Sequence, residues 1–80
     1  MSTEESKDRF KKTGERVQES VRADDLFKAM EVAMSALKEA VEERNEWLKD
    51  SYLGLVRAVH VLLENEYASK ERRKVRGNDA

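Results

Sequence analysis

From Leu26 to Leu48 apolar residues recur three and four positions apart, through Met30, Met34, Leu37 and Val41. That spacing lines them along one side of a 3.6-residue helix, while Glu39, Glu43, Glu46 and Asp50 gather on the other. Asp24 and Asp25 stand just before the run, the first as N-cap and the second as a first-turn acid, where free amides and the positive helix end favour carboxylates. Alanine, glutamate, leucine and methionine dominate residues 26–49, all strong helix formers. The pattern predicts a helix over 26–49. Arg44 interrupts it near the centre of the apolar stripe, where its stem would lie along the seam and its guanidinium would reach an acid or water, or set the register of an association.

A second run extends from Tyr52 to about Arg73. It carries Leu55, Val56, Val59, Leu62, Leu63 and Tyr67, flanked by Tyr52, Leu53, Ala58 and Val61. This wider apolar arc predicts a helix covered from more than one side. Asp50-Ser51, with Gly54 just after, is the turn signal between the two runs. The first reading is therefore an all-α chain folded as an antiparallel helical hairpin. The alternative is one long bent helix through Leu48, Tyr52, Leu55, Val59 and Leu62, in which Gly54 costs about 1 kcal/mol; no strict heptad runs its length. Neither form covers its own stripe, so both predict a dimeric helical bundle with helices crossing at roughly 20°. Its expected oligomer core is Leu26, Met30, Met34, Leu37, Val41, Leu48, Leu55, Val59 and Leu62.

The flanks look different. Residues 1–16 hold Phe10 as the one large apolar side chain apart from Met1, with Gly14 behind it, while Val17 and Val21 could extend a helix or dock as a short turn. So little apolar burial does not offset the entropy of ordering a backbone. The expected organisation is a largely flexible charged arm over 1–23, a helical oligomerisation and interaction domain over 24–74, and a flexible tail over 75–80.

Length sharpens the argument for association, because an 80-residue chain hides only about 60% of the surface its unfolded form exposes. There is no cysteine, so disulfides and thiolate metal sites give no help. The polar, acidic start lacks the pattern of a signal peptide, and no run approaches the roughly 18 apolar residues of a membrane span. A cytoplasmic or other reducing setting is the expectation. The net charge of −1 conceals a division: residues 24–50 carry four Lys/Arg against eight Asp/Glu, and residues 70–80 carry five against two.

Candidate chemistry is sparse. With one histidine, no cysteine, no glycine-rich phosphate loop and no serine in a nucleophile setting, the usual triads and zinc sites cannot be assembled from one chain. We therefore expect no enzyme, cofactor or metal. His60, between Val59 and Val61, reads as a partly buried histidine, with a pH-sensitive contact or a ligand shared across an oligomer as the alternatives. The pair Glu42-Glu43 with Glu46 slightly resembles the carboxylate helices of MazG-like nucleotide pyrophosphohydrolases, an all-helical family in which paired glutamates hold magnesium against a pyrophosphate. Only these three residues match, and the downstream Glu-x-x-Asp is missing. On this helix the acids lie opposite the stripe, which reads as a solvated face.

Lys70, Arg72, Arg73, Lys74 and Arg76 crowd seven positions. Cations at a helix C-terminus favour the local dipole, and the same cluster offers contacts to phosphates. Phe27, Trp47, Tyr52 and Tyr67 are the candidate partner surface, since aromatic side chains bury large area at small entropic cost. Together these features predict a small non-enzymatic adaptor or regulator acting through homodimerisation and contacts with another protein. A nucleic-acid-associated bundle using the basic cluster is the alternative, without elements for sequence readout.

Overall fold

A computed structural model describes the backbone of residues 3–79 and the side chains of residues 4–70. Three helices pack against one another: α1 (Thr3–Arg22), α2 (Leu26–Glu42) and α3 (Glu46–Asp79). The chain runs up, down and up, so that α1 and α3 are parallel and α2 lies antiparallel to both. At about 1.5 Å per residue, the 34 residues of α3 reach well beyond the 20 of α1 and the 17 of α2.

Both connections use the same backbone device. At the end of α1, Asp24 takes φ 60°, its N–H bonds to the Val21 carbonyl, and the Asp25 N–H reaches the Ser20 carbonyl. At the end of α2, Arg44 takes φ 58°, its N–H bonds to the Val41 carbonyl, and the Asn45 N–H reaches the Ala40 carbonyl. Each is a left-handed stop that satisfies the last carbonyls of the preceding helix. In each, the next residue caps the following helix: Asp25 Oδ1 accepts from the Lys28 N–H at 3.0 Å, and Asn45 Oδ1 accepts from the Leu48 N–H at 3.2 Å. Two tight corners thus follow from Asp24-Asp25 and Arg44-Asn45.

This corrects the expected turn. Helix α3 runs through Asp50, Ser51 and Gly54, and the chain reverses at 43–45 instead. Gly54 sits on an open part of α3, with nothing within 4 Å of where a Cβ would stand, so no close approach requires glycine there. Arg44 is no member of an apolar seam; it is exposed at the corner.

Residues 3–22, expected within a flexible arm, form α1. Its inner row is Ser6, Phe10, Thr13, Val17, Ser20 and Val21, of which Ser6, Val17 and Ser20 are buried. Small hydroxyl residues do much of this packing. The Ser20 hydroxyl donates back to the Arg16 carbonyl, and Ser6 Oγ accepts from Asn45 Nδ2 at 3.1 Å, so neither is left unpaired on burial. Thr13 and Tyr52 join hydroxyls at 3.2 Å, and Phe10 meets the edge of Trp47 and the tilted ring of Tyr52.

The core lies on the alanine face of α2. Ala29, Ala33 and Ala40 are fully buried: Ala29 and Ala33 cluster with Val17 and Val59, and Ala40 with Leu48 and Tyr52. Alanine lets neighbouring helices approach closely, and the volume is then filled by Tyr52, Leu48 and Val59 from α3.

Candidate functional site

Of the nine residues expected in an oligomer core, Leu48 and Val59 are buried within the single chain, and Leu26, Met30, Leu37 and Leu55 are half-buried there. Met34, Val41 and Leu62 are exposed, the first two by about half of their area. Among the expected partner-surface aromatics, Tyr52 is instead a core residue, held by Thr13 and Phe10. Phe27, Trp47 and Tyr67 are exposed, Phe27 to 82% and Tyr67 to 68%.

These exposed side chains are not scattered. Phe27, Met34 and Val41 fall seven residues apart, with Met30 and Leu37 between them, so α2 carries a regular alternation of threes and fours over its whole length. The edge of α2 that borders α1 is another one: Val32, Ser35, Ala36 and Glu39 line a cleft with Arg9, Thr13 and Arg16. Leu37 packs inward against the cluster that holds Leu48 and Tyr52, which places α3 on its flank. The apolar row therefore lies beyond α3 and away from α1.

Helix α3 continues that surface. It turns Trp47 toward Phe10, and Leu62, Asn65 and Ser69 toward Val21. Leu53, Val56, His60 and Tyr67 lie on its other side, within about 60° of one another at 100° per residue. That side borders α2. By helical spacing the exposed Phe27, Met34 and Val41 of α2 and Leu53 and Tyr67 of α3 fall on the same outer side of the α2–α3 pair.

Glu31 and Lys38 flank the α2 row on its outer rim, Glu31 at the mouth of the cleft to α1. Both are exposed and, among the described residues, without an ion pair. Some charges elsewhere are paired. The Arg9 guanidinium grips Glu43 through two bonds of 3.2 and 2.7 Å and lies 3.5 Å from Glu39, closing the α1 end onto the α2–α3 corner. That hydrogen-bonded pairing lowers the Glu43 carboxyl below its usual range and raises Arg9 above its own. Glu46 likewise pairs with Lys49 at 2.9 Å, and His60 Nδ1 lies 3.3 Å from Glu64 on the exposed surface.

The three glutamates that carried the magnesium-site resemblance are split accordingly: Glu43 goes to Arg9, Glu46 to Lys49, and Glu42 is exposed. Among the described residues no group of three His, Cys, Asp or Glu is placed to hold a metal ion, and no helix is long and apolar enough to cross a membrane. Lys70 pairs loosely with Glu66 at 3.8 Å; the side chains of Arg72, Arg73, Lys74 and Arg76 lie outside the described residues. Ser6, Arg9 and Asn45, which fasten α1, do not stand out in the sequence pattern by size or periodicity. Asn45 had a legible signal all the same, an N-cap residue three before Leu48 at the head of an apolar run.

Comparison with protein-family models, characterised proteins and solved structures gives no match.

Proposed function

We propose that the protein is a small non-enzymatic helical adaptor or regulator that acts by pairing with a second copy and by docking another protein along the α2–α3 face. The observation that carries this reading is the exposed row Phe27, Met34 and Val41 on α2, with Tyr67 exposed on α3. A folded three-helix chain has no internal need for these side chains in water. Large contiguous apolar patches on soluble chains mark sites of association. An aromatic side chain contributes roughly 150–250 Å², so this face offers on the order of 500 Å² per copy, and a pair approaches the roughly 1,000 Å² at which specific interfaces begin. The cysteine-free composition supports a reducing, cytoplasmic setting as part of the same proposal.

The test is sedimentation velocity on the parental chain and on Met34→Glu. We expect the variant to stay helical and become monomeric, because the site is exposed within one copy but would be desolvated between two. An unchanged sedimentation coefficient would remove the α2–α3 face from the proposal. The crowding of five cations over 70–76 supports a second reading, contact with nucleic-acid phosphates. Loss of a salt-sensitive gel shift on deleting 70–80 is its test.

A further inference from the structure

The apolar row on α2 has a symmetry of its own. Phe27 and Val41 stand seven residues either side of Met34, and the rim beside them carries Glu31 three residues before Met34 and Lys38 four after it. In the heptad that begins at Phe27, these two occupy equivalent rim positions in successive repeats, with opposite charge. The matching positions on the other rim, Ala33 and Ala40, are buried against the rest of the chain.

When two copies of such a helix pack antiparallel, equivalent rim positions face each other across the seam; when they pack parallel, each rim faces the opposite rim of its partner. Antiparallel pairing sets Glu31 against Lys38 of the second copy, and two-fold symmetry repeats the contact. Parallel pairing sets both against alanines already covered.

We infer that α2 of one copy lies antiparallel along α2 of another, with Met34 near the two-fold axis and two Glu31–Lys38 pairs closing the exposed rim. This rests on the association proposed above and specifies its partner as a second copy, in one orientation. Each α2 then fills the trough between the outer edges of its partner's α2 and α3. The arrangement is a four-helix bundle made by the α2–α3 hairpins, with α1 on the outside of each. Phe27, the most exposed large apolar side chain among the described residues, and Leu53 are covered in the same step.

The experiment exchanges charges. In Glu31→Lys both rim positions are positive, and in Lys38→Glu both are negative, so each variant alone opposes like charges twice across the two-fold axis. Mixed one to one, they meet as opposites at both contacts. Analytical ultracentrifugation at low ionic strength should show each variant associating about tenfold more weakly than the parent. The mixture should recover parental affinity as a heterodimer, and Glu31→Lys combined with Lys38→Glu in one chain should recover self-pairing. Both sites are exposed, so helicity and melting of the monomer report that the fold is intact.

If both single variants associate as strongly as the parent, or the mixture pairs no better than its components, the antiparallel α2 contact is overturned while association by another route stands. A parental chain that stays monomeric at several hundred micromolar overturns this inference and the association proposal together.

Discussion

Arg44 sits at φ 58°, a conformation that costs an L-residue about 1–2 kcal/mol because Cβ crowds the following carbonyl. Glycine escapes that cost but loses roughly 0.5–1 kcal/mol more backbone entropy on folding than alanine does. The informative comparison is therefore Arg44→Gly with Arg44→Ala. Both remove the guanidinium from the C-terminal end of α2, so its interaction with the helix dipole cancels, and Arg44 has no ion pair among the described residues to lose. The difference isolates the backbone and favours glycine by about 0.5–1 kcal/mol. For a domain of this size that is a higher melting temperature by roughly 2–8 °C, read by circular dichroism. One residue earlier the order reverses. Glu43 is in ordinary right-handed geometry (φ −77°, ψ −8°), so Glu43→Ala should melt above Glu43→Gly. An alanine variant at 44 more stable than the glycine variant would refute the left-handed corner, and with it the placement of the α2–α3 turn at 43–45.

Asn45→Ala removes both the cap on α3 and the amide that reaches buried Ser6; we expect a loss of about 1–2 kcal/mol in urea melts, and a change within error would contradict the double role. Ala33→Leu should destabilise by about 1–3 kcal/mol through overpacking, since Ala33 has no exposed area, whereas Met34→Ser, one position on, should leave the melting of the monomer nearly unchanged. The Arg9 contact holds the Glu43 carboxyl below its ordinary value of 4.5, so its stabilising effect is present above that pH and fades as pH falls through the depressed folded value. Glu43→Gln should therefore narrow the difference in stability between neutral and acid pH, with the two proteins converging at low pH; parallel curves would show that the pairing does not act on the fold.

The sequence was most legible where side chains are large and periodic. The helical class, the start of α2 at Leu26 and the wide apolar arc of α3 follow from spacing and capping chemistry, although the cap is Asp25 where Asp24 was expected, because Asp24 is taken up by the left-handed stop of α1. It was misleading where the core is made of small residues. Weighing positions by size selects Met30, Met34, Leu37 and Val41, but the buried row is Ala29, Ala33 and Ala40 with Ala36 half-buried among them, one residue or about 100° round the helix. The same bias hid α1, whose inner row is half hydroxyls and which packs in part against alanines of α2. The turn was misplaced because Arg44 carries no residue-type signal for a left-handed conformation, while Asp50-Ser51 carries a false one. What size weighting did find is the face left over once the alanine core is satisfied, which is why the stripe between Leu26 and Leu48 bears on association more than on the fold.

The most direct test of the central claim is the mass of the unaltered chain by sedimentation equilibrium from about 1 to several hundred micromolar, a range that spans ordinary dimer affinities. The account predicts a reversible rise from one subunit to two, abolished by charge at Met34. A single folded subunit across the whole range would contradict it.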